Sequence, residues 1–248
     1  MRVAAIYDIH ANLPALEAVL GDIQQAKVDQ IVVGGDVLPG PMPRETLECL
    51  LAVSIPVEFI YGNGERAVLE LKAGRDPVAV PEQYRAIVRW NAEQLDGEHE
   101  RILKCWPKTI HTAIDGWGEA LFCHATPRNE NEIFTRQTAE ARLLPVLAGL
   151  QVPLVICGHT HMQFERTIGK VRVVNAGSVG MPFGEPGAYW LLLGPKVELR
   201  RTAYDLARAA SRIRATKYPQ AEEFAARSVL QPPSEAQMLE LFVRAELP

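Results

Sequence analysis

The sequence lacks several features that would place it in common classes of protein. It has four cysteines and no C-x-x-C pair, which argues against a zinc ribbon and against a framework of disulfides. No apolar stretch approaches the roughly 20 residues that a helix needs to cross a bilayer. A formal net charge of −4 gives no electrostatic footprint for duplex nucleic acid or for an anionic membrane surface. Any affinity for phosphate must therefore come from a local site.

The absence of a disulfide framework indicates a reducing compartment, and we expect the protein to be cytoplasmic. Residues 1–8 already have the pattern of a strand, so no signal peptide is expected. With 248 residues, of which 48% are apolar, the chain can bury a substantial core. Cys123 and Cys157 lie close to histidines, but buried free cysteines in strands are favoured over metal ligands here.

The first 62 residues alternate short apolar strands with helices that have one apolar face. Strands are predicted at 3–7, 30–33 and 57–61, with helices at 13–26 and 44–53 between them. This alternation predicts a parallel sheet that is covered by helices. From residue 109 the pattern is mostly that of strands with hairpin-like spacing, which predicts an antiparallel second half. Two sheets packed face to face are therefore expected.

Two helical regions are predicted outside this pattern. Residues 64–106 are interpreted as a helical insert in a domain that spans residues 1–203. Residues 204–248 are interpreted as a helical extension that packs on the same domain. An apolar stripe near the end of the extension is expected to face the body of the protein, with a dimer contact as the alternative. The stripe consists of Met238, Leu241, Phe242 and Ala245.

Potential metal ligands follow five of the apolar runs, and they include four of the six histidines. The segments are Asp8-Ile9-His10, Gly34-Gly35-Asp36, Gly62-Asn63-Gly64, His124 and Gly158-His159-Thr160-His161. Seven ligands of this kind are too many for one tetrahedral ion and suit two ions that share a carboxylate.

Strand geometry predicts that these ligands meet. Sites in sheets flanked by helices gather at the carboxyl ends of strands. Asp8 and His10 are two residues apart, as are His159 and His161, and such pairs project to one side of an extended chain. Taken alone, His124 could be a hydrogen-bonded core histidine and Asp36 a turn residue. The five segments together favour a metal centre.

The order D-x-H, G-D, G-N, H and G-H-x-H resembles that of the calcineurin-like metallophosphoesterase superfamily. The stretches 8–16, 34–41 and 175–180 are similar to small bacterial and archaeal members of the phosphodiesterase type, and the resemblance covers about residues 2–201. It implies an α/β fold with four layers, α/β/β/α, in which two mixed sheets pack face to face with helices outside.

The resemblance also implies an enzyme with two divalent metal ions. Asp8, His10, Asp36 and His161 would hold one ion, and Asp36, Asn63, His124 and His159 the other, with Asp36 bridging. Mn²⁺ is the expected metal, and Fe, Zn, Co or Ni are alternatives. A hydroxide that bridges the ions would attack phosphorus in line, so Asp36, Asn63 and His124 are also assigned to catalysis.

One departure from the family's motif bears on the substrate. Many members read G-N-H, whereas this chain has Gly64 after Asn63, so an alkoxide leaving group lacks an obvious general acid. Relatives without this histidine tend to favour diesters, and a small phosphodiester is therefore the expected substrate. Glu65 would either support a ligand or begin a helix.

Substrate phosphate is expected to contact Asn63 and Arg128, with Arg44 and Arg66 as weaker candidates. Asn175 and Ser178 are expected to shape a loop near the metals. A phosphomonoesterase, or a protein or nucleotide phosphatase, is the alternative activity. A protein-interaction scaffold with the same fold is the alternative of another class, and it predicts lost ligands, whereas all seven are present. A homo-oligomer is possible on this sequence.

Overall fold

The computed structural model describes residues 1–77 and 80–247, within which ten strands form two sheets of five. The strands are β1 (Val3–Ile6), β2 (Gln30–Val33), β3 (Val57–Phe59), β4 (Thr109–Ile114), β5 (Gly118–Cys123), β6 (Leu154–Cys157), β7 (Gln163–Ile168), β8 (Val171–Ala176), β9 (Ala188–Leu193) and β10 (Val197–Thr202). The first sheet has the order β10-β9-β1-β2-β3, and the second has the order β4-β5-β6-β8-β7.

Both sheets are mixed. In the first sheet β1, β2 and β3 run parallel, as the alternation of strands and helices predicts, and β9 and β10 add an antiparallel edge. In the second sheet β5, β6 and β8 run parallel, with β4 and β7 antiparallel at the edges. The prediction of an antiparallel second half is therefore wrong. Strands β9 and β10 return to the first sheet because β9 pairs with β1.

Side chains of β1 alternate between two buried layers, as the period of a strand requires. Val3 and Ala5 belong to the core between the sheets, whereas Ala4 and Ile6 pack with Leu16 of the helix layer. A third cluster covers the far side of the second sheet. These clusters confirm the four layers, α/β/β/α.

Helices cover the outer faces of both sheets. They are α1 (Leu13–Ala26), α2 (Pro43–Leu51), α3 (Asn63–Lys72), α4 (Glu82–Gln94), α5 (Gly97–Lys104), α6 (Glu140–Leu147), α7 (Leu206–Arg214), α8 (Ala221–Phe224), which continues as a π-helical segment (Ala225–Leu230), and α9 (Glu235–Val243). The predicted insert 64–106 corresponds to α3, α4 and α5, and its residues 78 and 79 lie outside the described residues. None of the helices that the structure describes could cross a membrane.

Free cysteines at the ends of β5 and β6 are core residues. Cys123 and Cys157 are fully buried in the cluster on the far side of the second sheet, together with Leu143 of α6. Burial raises the pKa of both thiols, so they remain protonated at neutral pH. The structure thus agrees with the interpretation that they are packing residues.

The C-terminal extension contacts both sides of the molecule. Ile213 of α7 is fully buried in the core that contains α1, and Arg212 pairs with Glu17. At the other end Leu247 donates its backbone N–H to the carbonyl of Ile133 at 3.0 Å. The extension therefore runs from the helix layer of the first sheet to the second sheet.

The stripe of apolar residues predicted to face the body of the protein is not the face of α9 that is buried. Leu239 is the buried residue of this helix, at 5% exposure, whereas Leu241 is 55% exposed and Ala245 is also exposed. Met238 and Phe242 are half-buried. The helix thus leaves Leu241 on an accessible surface.

We expect Ile213→Ala to lower the free energy of unfolding by about 2–5 kcal/mol, because it removes a fully buried side chain that joins the extension to α1. Urea unfolding measures the change. Leu144→Ala is the matched control, since Leu144 lies on helix α6 but is 46% exposed, and its effect should stay within about 0.5 kcal/mol. Equal effects of the two substitutions would show that α7 does not dock as described.

Candidate metal centre

The structure brings all seven candidate ligands together at the carboxyl ends of five strands. Asp8 and His10 follow β1, Asp36 follows β2, Asn63 follows β3 as the first residue of α3, His124 follows β5, and His159 and His161 follow β6. The two sheets meet along this edge, so loops from both contribute to one site.

The ligand atoms form two groups, and Asp36 belongs to the second of them. Asp8, His10 and His161 each place one ligand atom within 4.8 Å of the others, and so do Asp36, His124 and His159. The second group also includes Asn63, whose Oδ1 lies 3.1 Å from Nε2 of His124.

The carboxylate of Asp36 faces both groups. Its Oδ1 lies 3.5 Å from Nε2 of His124, and its Oδ2 lies 3.7 Å from Nε2 of His10. A carboxylate in this position can bind two cations at once.

Backbone carbonyls fix the orientation of three histidines. The Nδ1 atoms of His10, His124 and His161 lie 3.2, 2.9 and 2.7 Å from the carbonyl oxygens of Pro39, Gly34 and Met181, respectively. A carbonyl only accepts, so in the neutral ring Nδ1 carries the proton and Nε2 presents a lone pair. Sequence reasoning missed these carbonyls, because any residue type supplies one.

The lone pairs converge, and this arrangement fits a cation. Nε2 of His10 and Nε2 of His161 are 3.2 Å apart, where two lone pairs repel unless a positive charge lies between them or one ring is protonated. Asp8 is fully buried, and among the described residues its Oδ1 has no hydrogen-bond donor other than Nε2 of His161, 3.3 Å away. A buried carboxylate oxygen of this kind is costly unless a cation neutralises it.

The pairs Asp8/His10 and His159/His161 were expected to project to one side of an extended chain. This expectation is wrong, because these residues lie in loops beyond the strands. Strands β1 and β6 end at Ile6 and Cys157, and five ligands have left-handed backbones. Their φ angles are 52° for Asp8, 48° for His10, 51° for Asp36, 68° for His159 and 57° for His161. Each such residue costs about 1–3 kcal/mol, so the surrounding structure must hold it.

Hydrogen bonds between the loops hold this conformation. The N–H groups of Asp8 and His10 donate to the carbonyls of Gly35 and Asp36 at 3.1 and 2.9 Å. The hydroxyl of Ser178 donates to the carbonyl of Asp8 at 2.7 Å. The amide of Asn175 donates to the carbonyl of Gly158 at 2.7 Å, so both residues shape the loops of the site as expected.

A cavity of about 520 Å³ opens directly onto the ligands, and we call it the site cavity. His10, Asp36 and Asn63 line its floor. Its walls are mostly apolar and include Met181, Phe183, Tyr218, Phe224, Met238 and Leu241. The volume lies within the range of about 300–1,000 Å³ that is usual for small-molecule sites.

Comparison with known proteins agrees with this geometry. The family model described as the calcineurin-like phosphoesterase superfamily domain matches residues 1–194. The chain belongs to this superfamily. The resemblance inferred from the motifs is thus confirmed, and phosphoesterase chemistry at a metal site is what membership indicates.

Individual relatives cover most of the chain. A metallophosphoesterase from Sphaerobacter thermophilus has a similar structure, with a TM-score of 0.70 and 26% identity over 92% of this chain and 99% of that one. A hypothetical protein from Pyrococcus horikoshii has the same fold, with a TM-score of 0.79 and 22% identity over 94% of this chain and 99% of that one. An uncharacterised protein from Methanocaldococcus jannaschii is 28% identical over 239 residues, which is 88% of this chain and 94% of that protein.

Glu65 fulfils both roles that the sequence leaves open. It is the third residue of α3, and its fully buried carboxylate accepts backbone N–H groups from Asp36 at 2.9 Å, Gly62 at 2.8 Å and Leu38 at 2.9 Å. Burial and then the nearby carboxylate of Asp36 raise the pKa of Glu65 to about 7. Glu65 therefore ties the loop that carries Asp36 to the start of α3.

Close packing around residue 64 requires a glycine at this position. A Cβ atom at this position would lie 2.0 Å from the carbonyl oxygen of Leu38. No side chain fits there unless the loop after β2 moves. The histidine that many members carry at this point is therefore sterically excluded from this conformation.

The structure does not bring Arg128 to the site cavity. Its guanidinium is half exposed and pairs with Glu132, with Nε at 2.8 Å from Oε1. The assignment of Arg128 to substrate binding stays a prediction. Arg66 of α3 does line the cavity, where it pairs with Glu70 and Glu130. Arg44 lies elsewhere and pairs with Asp96.

Charges within the site oppose the effect of burial. Burial would lower the pKa of His161, but the carboxylate of Asp8, 3.3 Å from its Nε2, raises that pKa overall. Burial is likewise outweighed at His124, whose pKa is raised by Asp36 and Asp8. Burial and the neighbouring His124 lower the pKa of His159 to about 4. Protons therefore compete with metal mainly at His124 and His161.

We expect Asp36→Asn to remove both ions, because the carboxylate of Asp36 lies within 3.7 Å of a histidine Nε2 in each group. The affinity for Mn²⁺ should fall at least about 100-fold. Elemental analysis of the purified protein counts the ions per chain, and Asp115→Asn, whose side chain is 65% exposed, should bind as wild type does. An Asp36→Asn variant that kept two tightly held ions would contradict the bridging position.

Metal binding should release more protons at pH 6.5 than at pH 8.5. The raised pKa values of His124 and His161 keep these rings partly protonated at the lower pH, and a cation must displace up to about two protons. Calorimetry in buffers of different ionisation enthalpy counts the protons. His111→Gln is the control, since His111 is exposed on β4. Equal release at both pH values would contradict the assignment of these rings as ligands.

Proposed function

We propose that this chain is a dinuclear metal-dependent phosphoesterase that hydrolyses phosphoric esters and prefers diesters. The observation that carries the proposal is the convergence of four histidine rings and the buried carboxylates of Asp8 and Asp36, with the carboxylate of Asp36 facing both ligand groups. A scaffold protein has no need for lone pairs that repel without a cation. The adjoining site cavity gives a substrate access to the same point.

The donor set supports two divalent cations, with Mn²⁺ as the metal we propose. Imidazole and carboxylate donors accept Mn, Fe, Zn, Co or Ni, and availability then selects among them. Two such cations and the two aspartates leave a local surplus of about two positive charges, which suits an anionic phosphate. When bound, the cations would supply an activated water and would stabilise charge on the phosphate oxygens.

The residues of the chain position these groups. Asn63 and Asp36 lie on the floor of the site cavity, where phosphate oxygens would approach them. His124 is fixed by Gly34, and Glu65 holds the backbone on either side. Because hydrogen bonds between the loops already hold these residues, we propose that the site is preorganised for its ligands.

Two features support diesters over monoesters. Among the described residues that line the site cavity, His10 is the one histidine, and we assign its ring to the metal, so no histidine is left to act as general acid, a departure that relatives favouring diesters share. The cavity also offers an apolar space beside the metal centre, which a second organic group on phosphorus can occupy.

Paired assays test this preference. With Mn²⁺ present, we expect bis(p-nitrophenyl) phosphate to be hydrolysed with a higher kcat/KM than p-nitrophenyl phosphate, because the diester fills the apolar space and carries less charge. Asp36→Asn protein serves as the control for contaminating activity. Monoester turnover well above that of the diester would establish the monoesterase instead. Purified protein that held no metal and hydrolysed neither ester with any divalent ion would favour the scaffold.

A further inference from the structure

The outer wall of the site cavity comes from the C-terminal extension. Tyr218, Phe224, Met238 and Leu241 line the cavity. All four lie beyond residue 194, where the match to the family model ends. The metal ligands thus lie within the matched region, whereas these wall residues lie outside it.

Aromatic contacts connect this wall to the metal ligands. The ring of Phe183 stacks on the ring of His161, with centroids 5.3 Å apart and an interplanar angle of 19°. Phe183 also contacts Phe242 of α9, with centroids 6.1 Å apart and an interplanar angle of 57°. An organic group that lies against Phe183 would therefore be next to both the metal centre and the extension.

The wall is mainly apolar and aromatic, although Gln220, Glu223, Arg227 and Ser228 of the extension also line the cavity. Tyr218 and Phe224 are 6% and 5% exposed, so their side chains are held in place by packing. Leu241 of α9 is 55% exposed and accessible to a ligand. Arg66 of α3, which also lines the cavity, already pairs with Glu70 and Glu130. Because most of the lining is apolar, the cavity can recognise a ligand chiefly by burial of apolar surface, with charged contacts at the metal ligands and at Glu223 and Arg227.

We propose that the site cavity binds the organic group of the phosphate ester, and that the C-terminal extension selects esters whose organic group is bulky, uncharged and aromatic or aliphatic. This inference rests on the proposed function, because a phosphate held at the metal centre is what places the organic group against the wall. Each methylene that the wall buries should tighten binding about fourfold.

Binding of phosphonates, which the enzyme cannot hydrolyse, tests the inference. Calorimetry with Mn²⁺-loaded protein compares methylphosphonate with phenylphosphonate, which share the anionic head and differ in the organic group. We expect phenylphosphonate to bind at least about tenfold tighter, since a buried phenyl ring contributes as much as a phenylalanine side chain.

Two substitutions on α9 assign the effect to the wall. Leu241→Asp places a charge in the site cavity and should bring the two affinities to within about threefold of each other. Val243→Asp is the matched control, because Val243 is 53% exposed on the same helix and does not line the cavity, so the preference should persist. If Leu241→Asp does not fold, Met238→Ala is the second variant, and it should reduce the preference at least about threefold.

The outcomes separate this inference from the proposed function. Equal binding of the two phosphonates to wild-type protein would overturn the inference and leave the proposed function in place. Failure of both phosphonates and of inorganic phosphate to bind would overturn both. Tighter binding of 2-aminoethylphosphonate, whose organic group is charged, than of phenylphosphonate would also overturn the inference, because it would show polar recognition of the organic group.

Discussion

The buried carboxylate of Glu65 joins the loop after β2 to the start of α3, and the candidate metal centre depends on this junction. It accepts three backbone N–H groups, including that of Asp36, whose own φ of 51° is unfavourable for an aspartate. Without these bonds the loop could relax, and Asp36 would no longer face both ligand groups. The other ligand loops are held in the same way, by carbonyls and N–H groups of their neighbours.

The sequence predicts the ligands of the site well because their chemistry is in the side chains. A histidine or aspartate after an apolar run is visible in the printed chain, and the parallel order of β1, β2 and β3 follows from the helices between them. The left-handed turns were not predictable from spacing, since an i, i+2 pair has the same spacing in a turn and in a strand. The hydrogen bond from His161 to Met181 depends on a loop that returns from a distant part of the chain.

Sheet membership was harder to predict because it depends on long-range pairing. Strand β9 has the same apolar pattern whether it continues the second sheet or returns to β1, and its buried residues Leu191 and Leu193 decide the matter by packing between the sheets. The phase of α9 was missed for a similar reason. Periodicity identifies an apolar face, but it does not tell whether that face meets a core or an open cavity.

Both ends of the C-terminal extension are anchored. Ile213 packs near its start, and near its end the carboxylate of Glu246 accepts the hydroxyls of Thr135 and Thr138 at 3.2 and 2.6 Å. A segment that is fixed at both ends loses little further conformational entropy when a ligand binds. If a ligand is buried against its aromatic residues, little of the hydrophobic gain is then lost to ordering the extension, so more of that gain appears as ligand affinity.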